Sequence, residues 1–147
     1  MNSPLFEIIL LIVETTQEAM KAAKLAISLA RFHRARLIGL NIVDRTVIDR
    51  LQRFGDKKRS EIEIEVEENG WKYLYHVEET ATEREVGISL LQEEGLPENV
   101  IVKKAEEFHA DLIVLGTPRG RRGVRHFTEA HIERIIENAP CPVLTVT

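Results

Sequence analysis

Short apolar runs alternate along this chain with stretches in which apolar residues recur every three to four positions. Phe6 to Val13 is nearly all apolar, the habit of a strand buried on both faces of a parallel sheet. Thr15 or Thr16 then offers a helix cap, with Glu18 or Ala19 in the first turn. A helix running to about His33 turns Ala19, Ala22, Ala23, Ala26, Ile27 and Ala30 to one side, a stripe small enough to lie close on a sheet. Arg36 to Val43 reads as a second strand, and Asp44 ends it.

The next stretch carries two periods at once. Glu61 to Glu67 alternates like a half-exposed strand, yet Ile62, Val66, Tyr73 and Val77 also share one helical face, and Glu is a good helix former. A parallel strand needs a crossover before the next one, and a helix usually supplies it. Asp56 to Arg84 is therefore predicted as a long helix, with a break near Gly70. Glu85 to Leu91 is predicted as the third strand, and Gly95-Leu96-Pro97 as a turn that places Pro97 in the first turn of a helix. That helix points Val100, Ile101, Ala105 and Phe108 inward. Asp111 opens a fourth buried strand, Leu112 to Leu115, which ends in Gly116. A loop rich in Gly and Arg follows, then a helix from Glu129 to Asn138 with Ile132, Ile135 and Ile136 inward. Pro140 and Pro142 bracket Cys141, and Val143 to Val146 is the final strand.

Five strands alternating with four helices predict a three-layer, doubly wound α/β fold around a five-stranded parallel sheet, with residues 1–147 as one domain. In such sheets ligands sit beyond the carboxyl ends of the strands, at the point where strand order reverses. The loops after the first and fourth strands, Glu14 to Thr16 and Gly116 to Thr128, therefore become the expected site.

Composition narrows the function classes. The chain has 147 residues, 44% hydrophobic and 30% charged, which is globular rather than disordered. A net charge of −4 opposes general affinity for nucleic acid or anionic membrane, although a local basic patch can still hold phosphate. No apolar run approaches the ~20 residues that span a bilayer, and no basic region precedes the apolar stretch at Ile8 to Val13, so no membrane partner is expected. The single cysteine, Cys141, forms no internal disulfide and reads as a buried small hydrophobe; the expected setting is cytoplasmic. The five histidines lack metal-ligand spacing, so no metal site is expected. There is no Gly-x-Ser-x-Gly elbow and no Walker A lysine motif, and no catalytic constellation is visible.

Three segments, IILLIVETT, ADLIVLGTPRGRRG and ERIIENAPCPVLTV, line up in order and length with a known pattern. Together they resemble the universal stress protein family, whose members typically end in an Ala-Pro-Cys-Pro-Val strand; the likeness covers the chain and is thinnest between about Val47 and Arg84. The resemblance implies an adenine nucleotide alpha hydrolase-like sheet with strand order 3-2-1-4-5. It also implies a homodimer, often made by pairing the last strands. Val143, Leu144, Thr145 and Val146 are short, apolar and terminal, as an edge strand needing cover would be.

Some family members bind ATP and others do not. The ATP-binding kind carries a glycine motif: Gly, any two residues, Gly, any nine, Gly, then Ser or Thr, whose backbone and hydroxyl donors approach phosphate closely. Here Gly116 matches the first glycine, Arg119 stands at the second, and Gly120 comes one residue late. Glu129 and Ala130 occupy the last glycine and the hydroxyl position; Thr128 can replace the hydroxyl if the loop is shifted. A carboxylate at a helix N-terminus competes with phosphate for the same donors. Arg119, Arg121, Arg122, Arg125 and His126 form a basic cluster, read either as a phosphate clamp or as a solvated loop balancing acidic helices. Glu14 stands where the family usually has Asp, and it can accept a ligand hydroxyl or hold a cation; Asp44 can face the same cleft or simply end its strand.

The nucleotide- or phosphate-contacting candidates are thus Glu14, Thr15, Val43, Gly116, Arg119, Gly120, Arg121, Arg122, Gly123, Thr128 and Ala130. The leading expectation is a dimeric binding or signalling module of the stress response, without the usual ATP binding. The alternatives are an ATP-binding, slowly hydrolysing member and a structural partner domain of a larger complex.

Overall fold

The computed structural model describes residues 4–117 and 129–147. The central strand, β1 (Ile8–Ile12), has Ile9, Leu10 and Leu11 wholly buried, because it is covered on both faces. Helix α1 (Gln17–His33) starts at Thr16, whose hydroxyl oxygen accepts the Ala19 N–H at 3.0 Å. Its buried residues are Ala19, Ala22, Ala23, Ala26, Ile27 and Ala30, the stripe expected from spacing. Strand β2 (Arg36–Val43) lies parallel to β1.

Asp44 does more than end β2. Its carboxylate accepts the Thr46 N–H at 2.9 Å and caps α2 (Arg45–Arg53), a helix absent from the sequence reading. Helix α3 (Arg59–Glu83) follows and decides the double-period segment as helix. Ile62 is buried and Ile64 is exposed, so the alternation of apolar residues there is only a by-product of helical spacing. The expected break at Gly70 does not occur. A β-carbon at Gly70 would stand 2.2 Å from Asn41 Oδ1 and 2.7 Å from Gln92 Nε2, so this glycine lets an unbroken helix press onto the sheet.

Strand β3 (Ile88–Glu94) begins three residues later than expected. The chain spends Glu85 in a left-handed turn after α3, with φ 61°, before it can enter the sheet. Pairing of β3 with Leu37 to Val43 then extends it through the polar Gln92, Glu93 and Glu94, beyond the expected end at Leu91. Helix α4 (Pro97–Glu107), strand β4 (Leu112–Gly116), helix α5 (Glu129–Asn138) and strand β5 (Val143–Val146) complete the order. Ile135 of α5 is wholly buried and Ile132 packs beside it, but Ile136 is 55% exposed, one residue too far round the helix to reach the core.

All strand pairs are parallel, and the sheet order is β3-β2-β1-β4-β5. Alternate strand residues feed two cores. Ile9, Leu11, Leu37 and Val114 meet α1 and α3 on one face. Leu10, Ile12, Ile38, Leu40, Ile113 and Leu115 meet α4 and α5 on the other. Each fully buried Leu or Ile contributes roughly 1.5–3 kcal/mol of transfer free energy, which makes these layers the main anchor of the strand ends where the site lies. Asp111 locks the opposite end: its Oδ2 accepts the N–H groups of Glu7 at 2.8 Å and Ile8 at 2.9 Å.

Candidate functional site

The carboxyl ends of β1 and β2 open into a cleft walled by α2, α3 and the start of α4. Glu14 and Thr15 follow β1; Asn41, Ile42 and Asp44 come from the end of β2; Val47, Val66, Asn69, Gly70 and Pro97 close the sides. The cleft holds about 60 Å³ of free volume. It takes in Glu14 and Thr15 of the expected site but lies on the β2 side of β1, and among the described residues nothing from the end of β4 lines it.

A chain of two amides, the buried Asn41 and the half-buried Gln92, shapes the cleft. Asn41 donates from Nδ2 to the Val13 carbonyl at 2.9 Å. Gln92 Nε2 donates to Asn41 Oδ1 at 3.1 Å and to the Glu67 carbonyl of α3 at 3.0 Å. β1, β2, β3 and α3 are thereby tied at one point, directly under Gly70. The buried Asn41 amide left unpaired would cost about 1–3 kcal/mol, so its bonds to Val13 and Gln92 hold together. Sequence reasoning missed Asn41, Asn69 and Gln92. An Asn inside an otherwise apolar strand, RLIGLNIV, was the available signal.

Among the described residues, the charged groups lining the cleft are acidic. Glu14 is half-buried, and its carboxyl has no hydrogen-bond or ion-pair partner among the described residues. Burial, and then the charge of Asp44, push its pKa up to about 8. Asp44 is 9% exposed. Its Oδ1 is taken by the Thr46 N–H and hydroxyl, at 2.9 and 2.7 Å, and its other oxygen has no partner among the described residues. The guanidinium nearest in sequence, Arg45, turns away to pair with Glu94.

The remaining candidates separate. Val43 is buried against Ile48 and Ile62, and its carbonyl accepts the Gly95 N–H at 3.1 Å; its neighbours Ile42 and Asp44 line the cleft. Gly116 is pressed against α1. A β-carbon there would lie 2.5 Å from Ala19 N and 2.5 Å from Glu18 C, so the glycine is required by packing whatever else it does. Ala130 is exposed in the first turn of α5 and offers a methyl group where a hydroxyl was counted; Glu129 puts a carboxylate at the same helix start. Arg119, Gly120, Arg121, Arg122, Gly123 and Thr128 lie outside the described residues. Among the described residues strand β5 pairs only with β4 and is a sheet edge. Val143, Leu144 and Val146 on it are half-buried and Thr145 is exposed.

Among the described residues no helix is long and apolar enough to cross a membrane. The family model described as universal stress protein family matches residues 5–147. Universal stress protein MJ0531 of Methanocaldococcus jannaschii is 35% identical over 144 residues, covering 97% of this chain and 82% of that protein. A universal stress protein family structure from Burkholderia pseudomallei superposes with a TM-score of 0.71 at 25% identity, covering 97% of this chain and 96% of that one. An Archaeoglobus fulgidus universal stress protein in complex with dAMP gives a TM-score of 0.65 at 17% identity, covering 96% and 97%. A universal stress protein in complex with cAMP gives 0.67 at 17%, covering 97% of both chains. The sheet order and helix layers are those of the adenine nucleotide alpha hydrolase-like fold that these structures share. From its glycine-bearing fourth strand to its Pro-Cys-Pro terminal strand, the chain belongs to the universal stress protein family.

Proposed function

We propose that this chain is a cytoplasmic, homodimeric binding module of the stress response whose cleft does not hold ATP in the manner of the family's ATP-binding members. The observation that carries the reading is the cleft itself, with about 60 Å³ of free volume and, among the described residues that line it, two carboxyl groups and no basic residue. Small-molecule sites commonly offer about 300–1,000 Å³. By the measure in which one water takes about 10–15 Å³, there is room here for roughly four water-sized groups, whereas a purine base alone brings about ten heavy atoms. Glu129 and Ala130 at the start of α5 support the same reading, because a phosphate there would meet a carboxylate and find no hydroxyl.

Two proteins of the same fold hold cAMP and dAMP, which makes an adenine nucleotide the first ligand to try. The test is calorimetric titration of the protein with MgATP, after mass spectrometry of the denatured protein for carried-over nucleotide. No heat and no nucleotide are expected, and the double exchange Glu129→Gly with Ala130→Ser should bring binding up. Micromolar binding by the natural chain would overturn the reading.

The dimer is proposed to form along β5. Pro142 and Val146 accept from Ile113 N–H at 3.0 Å and Thr117 N–H at 2.7 Å on β4. With the two-residue period of a strand, the backbones of Val143 and Thr145 then face outward, open to a second copy. Light scattering should give a dimer mass for the natural chain and a monomer mass for Thr145→Pro, with unchanged far-ultraviolet dichroism. A monomeric natural chain, or a Thr145→Pro dimer, counts against this edge.

A further inference from the structure

On the other face of the sheet one carboxylate breaks the pairing rule. Glu98 follows Pro97 in the first turn of α4 and is 8% exposed. Its charged neighbours come from α5. Arg134 Nη1 donates to Glu98 Oε2 at 2.9 Å. His131, one turn earlier on the same side of α5, brings Nε2 to 3.8 Å from Oε1. That is within ion-pair range but beyond the reach of a hydrogen bond. Oε1 is buried and accepts no hydrogen bond among the described residues. Buried polar atoms are nearly always paired, and a carboxylate oxygen left without a donor is among the costlier exceptions.

The charge on the imidazole decides whether that oxygen is served. A neutral imidazole offers one N–H and no charge, whereas an imidazolium donates from both nitrogens and is attracted to the carboxylate. Charge-assisted bonds settle near 2.7–2.9 Å and are roughly twice as strong as neutral ones, so closing the pair asks for a movement of about 1 Å. The two side chains are 20% and 10% exposed, which leaves little water to screen them.

We propose that Glu98 and His131 form a pH-sensitive latch between α4 and α5, closed while the imidazole is charged and slack when it is neutral. The latch is independent of what the cleft binds. It acts on the first turns of α5, where Glu129 and Ala130 stand, and so sets how firmly that helix start is held against α4. Among the described residues the charged groups that face Glu98 are His131 and Arg134 of α5; the layer beneath α4 is apolar, with Ile12, Leu40 and Leu115. Lys104, further along α4, is engaged by Glu93 and Glu107. Burial works to raise the Glu98 pKa, but the Arg134 hydrogen bond, its own backbone N–H and the charges of His131 and Arg134 outweigh it and hold the carboxyl below the usual value. Glu98 therefore stays ionised, and arginine keeps its charge, across the range of about pH 5 to 8 in which histidines titrate. The latch contributes stability at the acid end of that range and loses it as pH rises.

The experiment is a double-mutant cycle of Glu98→Gln and His131→Gln, followed by urea unfolding at pH 5.5 and pH 8. The cycle cancels the pH dependence of Glu14, which all four chains share. At pH 5.5 the two exchanges should be coupled by at least about fivefold in the folding equilibrium constant, and at pH 8 by less than about twofold. Amide hydrogen exchange, corrected for intrinsic rates, places the effect. In the natural chain the protection of Ile135 and Ile136 in α5, relative to Ala26 and Ile27 in α1, should fall from pH 5.5 to pH 8, and in Glu98→Gln it should not. Should Glu98→Gln fail to fold, His131→Gln takes its place in the exchange comparison. Equal coupling at the two pH values, no coupling at pH 5.5, or the same α5 response in the variant overturns the latch.

Discussion

Gly116 stands where a phosphate-binding glycine was counted, but the fold asks something else of it first. In Gly116→Ala the new methyl group would meet Ala19 N at 2.5 Å, Glu18 C at 2.5 Å and Glu18 O at 2.6 Å, all backbone atoms. Comfortable carbon contacts lie near 3.5–4.0 Å, so the first turn of α1 must retreat by about 1 Å. Ala19 N is the donor that Thr16 caps, so the retreat also strains that cap, worth ~1 kcal/mol. If the strand yields instead, the Thr117 N–H bond to the Val146 carbonyl, now 2.7 Å, is loosened. Overpacking of this kind costs about 1–3 kcal/mol, and rigid backbone on the far side places Gly116→Ala at the upper end, near 3. For a chain of this length 1 kcal/mol moves Tm by roughly 4 °C, so the variant should melt about 10 °C lower. The assay is thermal and urea unfolding by circular dichroism, with Gly87→Ala as the control. A β-carbon at Gly87 meets only Arg36 Nη1, at 3.8 Å, and that variant should stay within ~0.5 kcal/mol of the natural chain. If Gly116→Ala melts within about 2 °C of the natural chain, the packing argument is wrong and the glycine is free to serve a ligand alone.

Two further outcomes follow from the site. Because the folded pKa of Glu14 is raised by burial and by Asp44, the folded protein keeps a proton that the unfolded chain gives up near pH 4.5. Stability is therefore lost as pH rises from about 4.5 towards 8 and levels off above it; Glu14→Gln should gain on the natural chain across that window in urea unfolding, and a difference independent of pH would sink the assignment. Gly70→Ala should destabilise α3 by about 1–2 kcal/mol despite the ~1 kcal/mol gained in helix propensity, because the methyl group displaces Asn41 and Gln92 from their shared hydrogen bond. A more stable Gly70→Ala would mean that the amide chain is slack.

Much of this protein could be read from the chain alone. The bounds of β2, the alanine stripe of α1, Pro97 at the start of α4 and the span of α5 are local matters, set by residues a few positions apart. The alternation of strand and crossover, with the Pro-Cys-Pro ending, was enough for the fold and the family. The sequence also pointed to Glu14 and Thr15, because the turn after the first strand is where such sheets bind. Only the tertiary structure decided the rest. Asp44 became a helix cap and a cleft wall because α2 folds back over the end of β2, and nothing local to VDRTV requires that. Gly70 looked like a helix break and is a point of contact, since the atoms that need the space belong to Asn41 and Gln92, which lie 29 and 22 positions from it in the sequence. Gly116, a candidate ligand residue, is also packed against α1, for the same reason. Periodicity reports which face of an element is apolar; how near two backbones come, and which carboxylates are left without a partner, depends on elements far apart in sequence and is decided when they pack.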